Sequence, residues 1–178
     1  EAPEIRRPVE TSSVITDQVP LEAIMLAWHS PNYFGEGDAD LDILADVLAG
    51  GADARLTSDL VQERRLLQEL SVFQYSRRRG SLFLIFGVLS PEAELEEVEA
   101  TIHRSLTEIA SGERPLTERE LLQSQNGWEM GFIWGLETPL ERAEQLQNYL
   151  FSAGSTNYLE EDLARYRNVS DESVRQVV

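Results

Sequence analysis

Two histidines, His29 and His103, are the residues with which this chain could bind a catalytic metal, since cysteine is absent. Zinc hydrolysis needs two or three closely spaced nitrogen or carboxylate ligands and one position left for water. Neither histidine has a second one nearby, and neither H-x-x-E-H nor H-E-x-x-H occurs. We interpret His29 as a strand-end residue and His103 as a helix-surface residue beside Glu99. The sequence therefore predicts no metal ligand.

Other residue types restrict the chemistry further. All the basic residues are arginine, which excludes Schiff-base chemistry, and no serine lies in a G-x-S-x-G sequence. The pair Gly50-Gly51 lacks the spacing of a phosphate-binding loop. The basic cluster Arg77-Arg78-Arg79 is typical of an exposed turn or of a contact with an acidic partner surface. We predict no catalytic residue.

Charge and hydropathy limit the partners. Asp and Glu number 32 against 15 basic residues, and the formal net charge is -17. Such a chain repels a phosphate backbone, so we expect no nucleic-acid partner. No apolar run approaches the roughly 20 residues that cross a bilayer, so we expect no transmembrane segment.

The residues at either end of the chain predict its domain organisation. The first 20 combine three prolines with polar side chains and predict a linker over residues 1–20. Residues 21–178 predict a single domain. Its last helical pattern, which begins at Ser170, has no stop signal before Val178. We therefore expect the domain to be truncated at its C-terminus.

Hydrophobic periodicity predicts the elements within that domain. An apolar run at 23–30 predicts a strand, and the segments 70–76 and 82–89 predict a hairpin. Asp38 or Asp40 is expected to cap a first helix, and a second helix is expected over 54–67. The later helices are expected to begin at Ser90, Thr117, Thr138, about Tyr158 and Ser170. This order predicts an α+β domain with a largely antiparallel sheet and helices on one face.

The segment from Val47 to Leu60 reads VLAGGADARLTSDL and resembles the glycine-rich stretch of the pitrilysin/insulinase family of zinc peptidases. The family pattern there runs approximately G-G-x-x-S-R-L-F-x-x-L-R-E-x-x-G-L-A-Y-S. It belongs to the C-terminal homologous half, which lacks the zinc motif. The order of elements from Pro20 to Val178 is also similar. The resemblance implies one half of the processing-peptidase-like metallohydrolase fold.

The resemblance also implies which positions face a substrate. In active members the C-terminal half contributes an arginine and a tyrosine, seven residues apart, that reach the substrate peptide. Placing Arg55 on the arginine of S-R-L puts Val61 and Gln68 at those two positions. Valine cannot donate to a peptide carbonyl, and glutamine lacks the acidity of a phenol. A shifted alignment would instead nominate Arg64 or Arg65 with Tyr75.

From the resemblance we expect the non-catalytic C-terminal half of a bacterial zinc peptidase. It would wall a peptide chamber, and its partners would be the N-terminal homologous half or a partner peptidase subunit, together with unfolded peptides. Zinc is expected in the partner half and in no part of this chain. The alternative is a scaffold or assembly domain with no proteolytic role. Bacterial relatives also imply the periplasm or cell envelope as its location.

A free edge of the predicted sheet could take part in binding. An extended peptide can add to such an edge through main-chain hydrogen bonds. We expect this mode of peptide binding if an edge strand is uncovered.

Overall fold

The structure, a computed structural model, describes residues 10–178, so the first nine residues of the predicted linker lie outside the described part. Residues 10–22 form neither helix nor strand. Strands, α-helices and one π-helix follow in this order: β1 (Ala23–Ser30), α1 (Asp38–Ala49), the π-helix (Thr57–Glu63), β2 (Leu67–Tyr75), β3 (Ser81–Leu89), α2 (Leu95–Ser111), α3 (Glu118–Trp134), α4 (Pro139–Ser152), α5 (Leu159–Arg167) and α6 (Asp171–Val177).

The sheet is antiparallel, with β3 between β1 and β2. The predicted hairpin is confirmed as β2 and β3, although β2 begins at Leu67, three residues earlier than its alternating pattern predicts. The pairing shifts register between Leu67 and Glu69, which leaves Gln68 as the extra residue of a β-bulge. Both β1 and β2 are edge strands of this sheet.

The inner face of the sheet packs against helices. Phe83, Ile85 and Leu89 of β3 are buried at every second position, as a half-covered sheet requires. They share one core with residues of three helices, namely Leu44 and Leu48 of α1, Val98, Ile102 and Ile109 of α2, and Val174 of α6. This core joins the sheet to α1, α2 and α6.

The opposite face of the sheet is apolar but much more exposed. Met25, Phe73 and Tyr75 point to this side and are 62%, 43% and 48% exposed. The register places Phe86 opposite Met25 and Leu84 opposite Phe73. We call these five residues the outer sheet face. The predicted fold class is therefore confirmed, with the helices packed on one side of an antiparallel sheet.

Three of the predicted helix starts have the expected caps. Thr117, Thr138 and Ser170 each form a capping box with the residue three positions on. In α3, for example, Thr117 Oγ1 accepts from the Glu120 N–H at 3.2 Å and the Glu120 carboxylate accepts from the Thr117 N–H at 2.8 Å. Local sequence was sufficient for these ends because each box closes within four residues.

The predicted cap of α1 is wrong. The residue before the helix is Gly37, with φ of 85°, and no side chain caps the helix. A Cβ at Gly37 would lie 2.5 Å from Val177 Cγ1, so this position has no room for a larger residue. Asp38 is fully buried instead, and its carboxylate accepts from the Phe34 N–H at 2.9 Å.

Two further predicted boundaries are wrong. The helix expected from Ser90 begins at Leu95, because the Ser90 N–H donates to the Leu66 carbonyl at 2.9 Å and keeps this segment beside the sheet. The helix expected over 54–67 ends at Glu63, because β2 begins at Leu67. Within residues 10–178, no helix combines the length and the apolar character that crossing a membrane requires.

Candidate functional site

The structure places Val61 in the π-helix and Gln68 at the start of β2, with a short connection between them. Val61 is half-buried and packs against the core. Gln68 is exposed at the β-bulge, a feature that redirects a side chain away from the regular alternation of a strand. An apolar side chain and an amide thus occupy the positions that the family pattern gives to arginine and tyrosine.

Arg65 occupies the glycine position of the same pattern. Its φ is 53°, in the left-handed region that favours glycine. The Leu66 N–H donates back to the Leu60 carbonyl at 2.8 Å, which ends the π-helix and turns the chain into β2. The turn between Val61 and Gln68 therefore has the backbone conformation that glycine favours, although this chain has Arg65 at that position.

The alternative pair, Arg64 or Arg65 with Tyr75, is not brought together. Tyr75 lies at the far end of β2, and eight steps of an extended strand span about 26 Å. Arg64 is also engaged elsewhere: it donates to Thr101 Oγ1 at 2.9 Å and to the Glu97 carboxylate. The shifted alignment is therefore not supported by geometry.

Arg55 binds the loop that leads into α3. Its Nε and Nη2 donate to the two oxygens of Glu120 at 2.6 and 2.8 Å, and it also donates to the carbonyls of Arg114 and Pro115. Burial by itself would raise the pKa of Glu120, but the hydrogen bonds from Arg55 and Thr117 lower it to about 2. Arg55 is thus a structural residue that joins the segment before the π-helix to α3.

A buried charge network that the sequence analysis missed joins α1 to α5. Arg165 donates to Asp38 at 2.6 Å and to Asp162 at 2.8 Å, and its guanidinium lies 4.8 Å from the centre of the Phe34 ring. The Asp38 carboxylate also accepts from Gln74 Nε2 and Ser76 Oγ on β2 and the residue after it. The acidic residues of the first turn of α1 were the one sequence signal, and we interpreted them as caps.

Two tyrosines extend this network. Tyr149 of α4 donates to Asp162 at 2.9 Å, and Tyr166 of α5 donates to Asp42 at 2.6 Å. Burial raises the pKa of Asp42 to about 6, and the nearby Asp38 charge adds to the rise. Burial likewise raises the pKa of the Tyr166 hydroxyl, so it remains a donor. These contacts hold α5 to α4 and to α1.

The described residues do not fit a zinc ion. In residues 10–178, no three His, Asp or Glu side chains lie close enough together to hold a metal. His29 lies exposed near the end of β1, and His103 lies on α2 with Nε2 3.9 Å from a Glu99 oxygen, as their sequence positions predicted. The metal chemistry of a zinc peptidase cannot be assigned to this arrangement.

The family model described as the peptidase M16 inactive domain matches residues 2–127. The chain belongs to this family. The match covers more than half of the chain and includes the π-helix, the candidate positions and the hairpin. The resemblance that the glycine-rich segment indicated is thereby confirmed.

Relatives of this M16 inactive domain include zinc peptidases. The zinc protease PqqE of Helicobacter pylori (strain ATCC 700392 / 26695) is 27% identical over 151 residues, which cover 83% of this chain and 34% of that protein. A protease structure from Helicobacter pylori has a TM-score of 0.80 and 23% identity, covering 91% of this chain and 38% of its own. The M16 inactive domain therefore spans about a third of the length of these relatives.

A solved structure of comparable size has the same fold. A Bordetella parapertussis structure described as an inactive peptidase domain has a TM-score of 0.76 and 19% identity, covering 92% of this chain and 86% of its own. This structure shows the same fold in a chain of similar length.

Proposed function

We propose that this M16 inactive domain is the non-catalytic C-terminal half of a zinc peptidase, which pairs with a homologous half that holds the zinc. The proposal rests on which residues occupy the two positions where the family pattern has arginine and tyrosine. Val61 cannot donate a hydrogen bond, and Gln68 at the bulge is neither charged nor acidic. The proposed half would therefore shape the chamber and leave the chemistry to its partner.

The outer sheet face supports a role as a chamber wall. It is a contiguous row of apolar side chains on three strands, of which Met25, Phe73 and Tyr75 remain 43–62% exposed. Exposed apolar patches of this kind mark surfaces that bind another chain. The occupant we propose is an unfolded peptide held between the two halves, because apolar side chains are exposed in unfolded chains and buried in folded ones.

The edge strand β2 offers a second way to hold an extended peptide. Its neighbour on one side is β3, and no described strand pairs with its other side. Main-chain hydrogen bonds at such an edge bind a peptide with little regard to its sequence. This suits a chamber that accepts unfolded substrates.

The proposal can be tested with a homologous half that carries H-x-x-E-H, taken from the same gene or from a neighbouring one, purified separately and mixed with this chain. We expect hydrolysis of an internally quenched peptide in the mixture only. Phe73→Ser should lower that activity several-fold because Phe73 lies on the outer sheet face. Leu122→Ser, a substitution of an equally exposed residue on α3, should not. Association without any hydrolysis would contradict the proposal and favour the scaffold role.

A further inference from the structure

The tip of the β2–β3 hairpin concentrates positive charge on a strongly acidic chain. Arg77, Arg78 and Arg79 are consecutive and exposed, whereas the whole chain has a formal net charge of -17. The ion pairs within 4.0 Å in the described part of the chain involve other arginines, namely Arg55, Arg64, Arg114, Arg119, Arg165, Arg167 and Arg175. Among residues 10–178, the three guanidinium groups of the tip therefore have no carboxylate partner.

Two aromatic rings and two hydrogen bonds of the Arg77 backbone hold the tip in place. The Arg77 guanidinium lies 4.1 Å from the centre of the Tyr75 ring, and that of Arg78 lies 5.1 Å from the centre of the Phe151 ring. The Arg77 N–H donates to Ser81 Oγ at 2.9 Å, and its carbonyl accepts from the Tyr33 N–H at 3.0 Å. Stacking on a ring face leaves the N–H edge of a guanidinium available for a carboxylate.

A groove lined by both apolar and polar residues lies directly beside Arg78. It has a volume of about 660 Å³ and runs from Arg78 along the last turn of α4 to Gly154. Leu150 and Phe151 line it and are 57% and 65% exposed. Arg78 belongs to both features, because it lines the groove and stacks on Phe151.

We infer that the hairpin tip and the groove at the end of α4 together bind a peptide segment in which carboxylates flank a large apolar side chain. The carboxylates would accept hydrogen bonds from Arg78 and Arg79, and the apolar side chain would cover Leu150 and Phe151. Within the screening length of about 10 Å the charge of the tip dominates, so a short acidic segment meets mainly the arginines. A nucleic acid extends its phosphates well beyond the tip, where the rest of this acidic chain repels them. This inference does not depend on the proposed pairing with a zinc half.

The inference can be tested by fluorescence anisotropy with two labelled hexapeptides on the 178-residue chain. One peptide has four glutamates around a central Leu-Phe pair, and the other has four lysines around the same pair. We expect the glutamate peptide to bind more tightly, although a net charge of -17 by itself favours the lysine peptide. Equal or tighter binding of the lysine peptide would overturn the inference.

Matched substitutions locate the binding surface. Arg78→Gln with Arg79→Gln should weaken the glutamate peptide at least about fivefold, and Phe151→Ser should weaken it by a similar factor. Arg119→Gln and Leu122→Ser, which change an exposed arginine and an exposed leucine of α3, should leave binding unchanged. An unchanged Kd in the Arg78/Arg79 variant would overturn the inference. A parent chain that sediments as a dimer while Phe151→Ser sediments as a monomer would overturn it as well, because a second copy would then occupy this surface.

Discussion

The guanidinium of Arg55 forms two hydrogen bonds with the Glu120 carboxylate, at 2.6 and 2.8 Å, although the residues are 65 positions apart. Both side chains are largely buried, 11% and 27% exposed. The same carboxylate closes the capping box of α3. One ion pair therefore fixes the start of α3 to the segment that leads into the π-helix. The first candidate substrate position, Val61, lies in that π-helix.

Glu120→Gln should lower the free energy of unfolding at pH 7 by about 2 kcal/mol. The pKa of Glu120 is about 2 in the folded chain against an ordinary value of 4.5. The stabilisation is therefore complete above about pH 4.5 and disappears as the pH falls toward 2. Urea unfolding should show a difference between variant and parent that is several-fold smaller at pH 2.5 than at pH 7. A gap of the same size at both pH values would contradict this assignment.

Asp42→Asn should stabilise the domain by about 1–2 kcal/mol at pH 8. Burial raises the pKa of Asp42 from 3.8 to about 6, so between these pH values the folded state holds a proton that the unfolded state has released. An ionised Asp42 therefore costs stability above pH 6, and asparagine removes that cost while still accepting from Tyr166. Thermal unfolding should show the gain at pH 8 and little of it at pH 4. Asp46→Asn, on the exposed side of the same helix, should show no such gain.

Arg165→Leu should destabilise the domain by about 3–5 kcal/mol, because it leaves Asp38 and Asp162 as buried charges without a cationic partner. Arg167→Leu removes an arginine two positions away whose ion pair with Glu129 of α3 is partly exposed. Its effect should be much smaller. Chemical denaturation of both variants measures the contrast, and comparable losses would show that the buried network does not hold α5 against α1.

Val61→Arg combined with Gln68→Tyr restores the arginine and tyrosine of the family pattern. With the zinc-bearing partner present, we expect kcat/KM on a quenched peptide to rise at least about tenfold, since oriented donors stabilise the reacting carbonyl. The variant alone should remain inactive. Circular dichroism controls for folding, because Val61 packs against the core. No change in activity by a folded variant would show that these positions do not face the reacting centre.

The features that could be predicted from sequence are those that short stretches of chain encode. The apolar run at 82–89 and the capping boxes of Thr117 and Thr138 follow from neighbouring residues. The glycine-rich segment gave the family because its residues are contiguous. The candidate positions Val61 and Gln68, and the role of this chain beside a zinc half, remain predictions.

The contacts that could not be predicted join distant parts of the chain. Arg165 meets Asp38 across 127 positions, and nothing near Asp38 distinguishes a buried acceptor from a helix cap. The bulge at Gln68 depends on how β2 pairs with β3, which a single strand's pattern does not contain. Location in the periplasm or cell envelope also stays a prediction, because the structure of residues 10–178 does not test it.

The most direct test of the central claim is to measure zinc content and peptide hydrolysis of the purified 178-residue chain by itself. After removal of loosely bound metal and addition of zinc, we expect no stoichiometric zinc by atomic absorption and no cleavage of a quenched peptide. Addition of the H-x-x-E-H partner should then give activity. Zinc retained at one per chain, or hydrolysis without the partner, would contradict the account.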